Sequence, residues 1–136
     1  MIHLDATFVI DFLRETYKKR RGAASEFLAS LAGKREKITV SIFVASELFA
    51  GVRFSHRPDE ERYRVRHFCE DFGVVYPDER FAETYGGIFS SLRRSGQMVG
   101  TMDVLIGTLA IVEGARLVTR NLKDFKRIPD LEILSY

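Results

Sequence analysis

The sequence predicts an α/β domain, with a mainly parallel five-stranded sheet covered by helices on both faces in three α/β/α layers. Three observations carry this. Short, mostly apolar, β-rich runs recur along the chain. Stretches with apolar residues at helical spacing separate them, and glycines stand where those helices should stop. The 136 residues contain no internal repeat, low-complexity stretch or linker, so one domain over residues 1–136 is expected.

Ile2-His3-Leu4 reads as a first buried strand, and Thr7 as the cap of a helix carrying Phe8, Val9, Phe12 and Leu13 inward. Lys18-Lys19-Arg20-Arg21-Gly22 ends that helix, with cations facing the negative end of its dipole. A second amphipathic helix spans Ala23 to Leu31, with Phe27, Leu28 and Leu31 inward. Lys37-Ile38-Thr39-Val40 is a β-branched strand, after which Ser41 caps a helix from Ile42 to about Phe54. The polar run Ser55 to Glu61 leads into a helix ending near Phe72, with Gly73 as its stop. Val74-Val75-Tyr76 is a strand ended by Pro77, and Asp78 is expected to open a long helix to about Ser95. Thr101 or Asp103 opens the next helix, through Val112. Arg116 to Thr119 and Leu131 to Leu134 are the last strands.

Charged residues make up 29% of the chain and the net charge is only +2, which permits a nucleic-acid partner without arguing for one. The lone Cys69 forms no intrachain disulfide and has no zinc-site spacing around it, so it reads as a small packing residue in a reducing, cytoplasmic setting. Asp5 and Asp11 break the first apolar run, so no signal peptide is expected. No charge-free segment approaches the length of a membrane span.

Against this background three acids stand alone in apolar company. Asp5 follows the first strand, Glu47 is the only charge between Ser41 and Val52, and Asp103 is the only charge between Thr101 and Val112. A carboxylate carried into apolar surroundings costs several kcal/mol unless it is paired, hydrogen-bonded or bound to a cation. In open α/β sheets sites gather at the carboxyl ends of the strands, and all three acids can reach that edge together with Thr119, Asn121 and Asp124. An all-oxygen cluster of this kind suits Mg2+ or Mn2+, and with only His3 nearby it does not suit zinc. The chemistry it indicates is metal-assisted phosphodiester hydrolysis.

Four segments carry a family resemblance: Leu4-Asp5-Ala6-Thr7-Phe8-Val9-Ile10-Asp11, Ala45-Ser46-Glu47-Leu48-Phe49-Ala50-Gly51, Gly100-Thr101-Met102-Asp103-Val104-Leu105-Ile106-Gly107 and Val118-Thr119-Arg120-Asn121-Leu122-Lys123-Asp124-Phe125. In order and spacing they resemble those of PIN-domain proteins, specifically VapC-type toxins of type II toxin–antitoxin pairs. The resemblance implies strand order 3-2-1-4-5 and a Mg2+- or Mn2+-dependent RNA endonuclease. It also implies a homodimer inhibited by a small VapB-like antitoxin, which docks a helix between the early helices. It places Asp5, Glu47 and Asp103 at the family's acidic metal positions, and leaves open whether Asn121 or Asp124 completes the site. Thr7 and Thr119 would support Asp5. The chain departs from the family at Ala6, where a hydroxyl residue is common, and at Gly107, where alanine is common; the glycine should cost only about 1 kcal/mol.

Each residue also has a plainer reading. Asp5 and Asp103 can be helix caps, Glu47 can pair with Arg53 or Arg120, and Asp124 can be a solvated or capping residue. Asp11 reads as a surface or salt-bridging group, and Lys18 to Arg21 as a solvated helix end. Arg93, Arg94 and Arg120 lie nearer the acidic edge. Phe81, Tyr85 and Phe89 read as core or dimer surface. The competing functions are a DNA nuclease, a catalytically weak RNA- or protein-binding module, and phosphoryl transfer through an aspartyl phosphate. The last lacks the second Asp usual two residues later, where Thr7 stands.

Overall fold

A computed structural model describes all 136 residues. The elements run β1 (Ile2–Leu4), α1 (Ala6–Tyr17), α2 (Ala23–Ser30), β2 (Ile38–Ser41), α3 (Ile42–Val52), α4 (Pro58–Phe72), β3 (Val74–Val75), α5 (Phe81–Arg94), α6 (Thr101–Val112), β4 (Arg116–Val118), α7 (Leu122–Phe125) and β5 (Ile133–Leu134). All four strand pairings are parallel and the order is β3-β2-β1-β4-β5. The chain moves outward from β1 through β2 to β3, then returns across to β4 and β5. Right-handed crossovers therefore put α1–α4 on one face and α5–α7 on the other. The reversal makes the β1–β4 boundary the topological switch point, where a crevice opens beyond the carboxyl ends of the strands.

Both faces of the strands are buried. Ile2, Leu4, Val40, Leu117 and Val118 join Phe8, Val44, Ile106 and Phe125 in one contiguous core. That explains why the strands read as apolar runs rather than alternating ones. His3, beside Thr39 and Leu117 in the neighbouring strands, is 1% exposed and has no hydrogen-bond partner. Burial pushes its pKa down to about 4 and keeps the ring neutral.

Several local expectations change. Thr7 does not cap α1: the helix already begins at Ala6, Asp5 is its N-cap without a side-chain cap bond, and the Thr7 hydroxyl is committed elsewhere. Asp78 does not open α5. It folds a turn in which it accepts the Arg80 backbone N–H at 2.9 Å, and the helix starts at Phe81. The short helix α7 was unanticipated, because four residues are too few to show helical spacing. Ser41 does cap α3, accepting the Val44 N–H at 3.1 Å. Gly73 at the end of α4 has φ +83°, a conformation that favours glycine.

Gly107 is more than a helix-weakening substitution. A Cβ there would lie 2.7 Å from Ile128 Cδ1 and 3.3 Å from Leu131 Cδ2, so the missing methyl lets the segment after α7 close onto α6. In chemical denaturation, Gly107→Ala alone should therefore fall short of the gain of about 1 kcal/mol that helix propensity offers. In an Ile128→Val background, which removes the clashing methyl, the same change should recover it. Equal effects in both backgrounds would contradict this packing.

Candidate active site

The parallel register aligns Leu4 with Val118, and so brings the next residues, Asp5 and Thr119, side by side at the switch point. Asp5 is 4% exposed. Its Oδ2 accepts the Thr119 hydroxyl at 2.7 Å and the Thr7 hydroxyl at 3.0 Å. Both hydroxyls are themselves fixed by backbone: Thr7 Oγ1 accepts the Arg120 N–H at 3.1 Å and Thr119 Oγ1 accepts the Asn121 N–H at 3.0 Å. Residues 119–121 thus form a bracket that holds Asp5 by neutral donors alone.

Glu47 comes from the second turn of α3, placed there by the Ser41 cap, and Asp103 from the first turn of α6. With Asp5, Thr7 and Asn121 they wall one pocket of about 320 Å3, completed by Ala6, Ile10 and Leu48. No Lys, Arg or His forms an ion pair with any of the three acids. Burial first, then the charges of Asp5 and Asp103, push the Glu47 pKa up to about 7. Burial, Asp5 and then Asp124 push Asp103 up to about 6. Arg120, a conceivable partner of Glu47, instead pairs with Asp11 at 2.7 Å.

The Asn121 amide bridges two acids, reaching Asp103 Oδ2 at 3.4 Å and Asp124 Oδ2 at 3.3 Å. Asn121 lines the pocket, whereas Asp124 stands behind it and acts on Asp103 through its charge. The plain cap readings fail for Asp5, whose side chain makes no cap bond, and the ion-pair reading fails for Glu47. His3 lies within the sheet and does not line the pocket.

A divalent cation fits this donor set. The donors are all hard oxygens, and the carboxylates carry mutual repulsion that nothing in the protein neutralises. No three of the carboxylates stand close enough together to enclose an ion. Asp11 is the salt-bridging group its sequence position suggested, whereas the Arg120 backbone contact to Thr7 was not legible, because it depends on how β4 sits against α1.

A second, larger cavity of about 560 Å3 opens beside the acidic pocket. It lies between α1, α3 and α4 and has Ile10, Leu13, Leu48 and Val65 among its apolar walls, with Arg14, Arg57, Glu60 and Glu61 also lining it. Ile10, Glu47 and Leu48 line both spaces. On α5, Phe81, Tyr85 and Phe89 stack in a row that Phe43 extends from α3.

The fold and site define a class: residues 2–131 match the PIN domain model, and the chain belongs to the PIN-domain family. Within it the chain belongs with the VapC proteins. Ribonuclease VapC2 of Rickettsia felis is 34% identical over 101 residues, 74% of this chain and 75% of that protein. Ribonuclease VapC19 of Mycobacterium tuberculosis is 32% identical over 129 residues, 95% of each chain. The crystal structure of VapBC2 from Rickettsia felis bound to a promoter DNA fragment superposes with a TM-score of 0.86 at 29% identity, covering 100% of this chain and 99% of that one. VapBC-1 from nontypeable Haemophilus influenzae gives 0.84 at 26% identity, covering 99% and 98%.

The raised carboxylates make a stability test. Glu47 has a folded pKa near 7 against an ordinary 4.5, so the folded state holds its proton more tightly. The associated stability is present at acid pH and is lost as pH rises from about 4.5 through 7. In metal-free buffer Glu47→Gln should therefore melt above the wild type by a margin that grows across that window to roughly 5 °C. A margin independent of pH would contradict the electrostatic origin.

Proposed function

We propose that the chain is a metal-dependent RNA endonuclease and the toxin of a toxin–antitoxin pair. The observation that carries this reading is the single pocket walled by Asp5, Glu47 and Asp103 without a protein cation. The likeness to proteins named VapC ribonucleases supports RNA as the substrate.

Asp5, Asp103 and Glu47 would hold Mg2+ or Mn2+, with Asn121 and Asp124 as further oxygen donors or orienting groups. When bound, the ion supplies neutralising charge for a phosphodiester and acidity for a water molecule. Thr7 and Thr119 fix the Asp5 carboxylate so that it cannot turn away from the pocket. Glu47, on the wall of the same pocket, would either hold the ion or polarise the attacking water by accepting its proton. The Asn121 amide holds the rotamer of Asp103.

The partner reading rests on the cavity between α1, α3 and α4, whose apolar walls and mixed-charge lining suit an amphipathic antitoxin helix. The structural neighbours described as VapBC complexes support it. The aromatic row of Phe43, Phe81, Tyr85 and Phe89 supports a homodimer contact. No helix is long and apolar enough to cross a membrane.

Purified protein should cleave RNA only with Mg2+ or Mn2+, and Asp5→Ala or Asp103→Asn should lower the rate at least 100-fold, on the order of losing a principal charge-stabilising group. Persistent cleavage by either variant would overturn the site assignment. Tight Mn2+ binding with no turnover on any RNA would favour a binding module, and turnover confined to DNA a DNA nuclease.

The cavity has its own test. Gly51 lines it, and a Cβ there would meet nothing within 4 Å, so Gly51→Leu adds bulk to that wall without a clash at Cβ and without bringing a cation beside Glu47. This variant should keep RNA cleavage but lose at least tenfold in affinity for the cognate antitoxin, measured by calorimetry. Unchanged affinity would place the antitoxin elsewhere.

A further inference from the structure

The acidic pocket has a difficulty of its own: no cation lines it, yet the proposed substrate is a polyanion. An ion neutralises the phosphate being cut but leaves the flanking phosphates facing three carboxylates. One arginine is built into the rim in a way that meets this need.

Arg120 sits between the two residues that handle the acids, Thr119 on Asp5 and Asn121 on Asp103. Its backbone N–H is tied to Thr7, and its Nη1 donates to Asp11 Oδ2 at 2.7 Å. Asp11 follows Thr7 by four residues on α1, so this contact lies one turn, about 5.4 Å, along the same helix face from the pocket wall. Asp11 is itself held firmly. Its side chain is only 15% exposed, the Tyr136 hydroxyl donates to the same oxygen at 2.7 Å, and Arg14 approaches its other oxygen at 3.6 Å. Tyr136 is fixed in turn by edge-to-face packing on the buried Phe8, with ring centroids 4.7 Å apart.

An ordinary surface ion pair joins two mobile side chains and contributes little. Here one partner is immobilised in a network while the arginine side chain remains 61% exposed. The anchor occupies one end of the guanidinium and leaves other N–H donors open to solvent. We propose that Arg120 is a substrate-binding residue that contacts a backbone phosphate of the RNA strand next to the one being cut. Asp11 and Tyr136 are the positioning residues that aim it. The inference rests on the nuclease reading of the acidic pocket.

The test compares the wild type with Arg120→Ala and Arg120→Lys on a fluorescent single-stranded RNA over a series of NaCl concentrations. Cleavage is measured with Mn2+, and binding is measured by anisotropy with each change placed in the Asp103→Asn background. Arg120→Ala should raise KM about tenfold, leave kcat within about twofold, and flatten the dependence of log affinity on log salt by about 0.7, the value of one lost phosphate contact on a single strand. Arg120→Lys should keep the salt slope, because it keeps the charge. Asp11→Asn should raise KM less than Arg120→Ala, because the cation remains but is no longer aimed. Unchanged KM and salt slope in Arg120→Ala, with wild-type cleavage intact, would overturn the assignment and leave the nuclease reading standing. RNA binding that loses its slope in Arg120→Ala, without cleavage by the wild type, would uphold Arg120 and overturn the nuclease. Absence of both binding and cleavage in the wild type would overturn both.

Discussion

The site depends on how one buried carboxylate is satisfied. Asp5 sits at the end of the central strand, 4% exposed, and takes its hydrogen bonds from two threonine hydroxyls rather than from a cation. Neutral donors offset part of the desolvation cost and fix the geometry, but they leave the negative charge in place. That charge then reaches outward: it adds to the burial that chiefly raises the pKa of Glu47 and of Asp103, two groups from helices on opposite faces of the sheet.

The fold supplies this arrangement through register and topology. Because β1 and β4 are parallel and aligned at Leu4 and Val118, the two chains leave the sheet at the same level, and Asp5 meets Thr119 without any long-range adjustment. Because strand order reverses at that boundary, α3 and α6 approach the crevice from either side, each presenting one acid. The strands contribute few residues, only two to four each, so helix packing around them sets the pocket's width.

Much of this was legible in the sequence, for physical reasons that can be named. Strands buried on both faces show as short apolar runs, and an isolated acid in such a run signals its own cost, as Glu47 does. Ser41 was readable as a cap because capping is local chemistry. What escaped depended on contacts distant in the chain. Thr7 was read both as a cap and as a support for Asp5, and only the support holds, since its hydroxyl is claimed by residues 5 and 120. Gly107 looked like a mild loss of helix propensity, and its meaning appears only when Ile128 packs against it. Asn121 and Asp124 could not be separated from spacing alone, because which of them enters the pocket is decided by the turn that starts α7.

The acidic pocket and the cavity between α1, α3 and α4 share a wall formed by Ile10, Glu47 and Leu48. A shared wall makes occupancy of the two spaces a linked equilibrium. Anything in the cavity that changes the hydration or the rotamer of Glu47 alters the free energy of a cation next door, and the cation must alter the affinity of that occupant by the same factor. The sign is set by contact. A basic group reaching Glu47 would compete with the ion, whereas an apolar one would deepen its burial and strengthen its demand for positive charge. An occupant of the cavity and a cation in the pocket would in this sense act through one side chain.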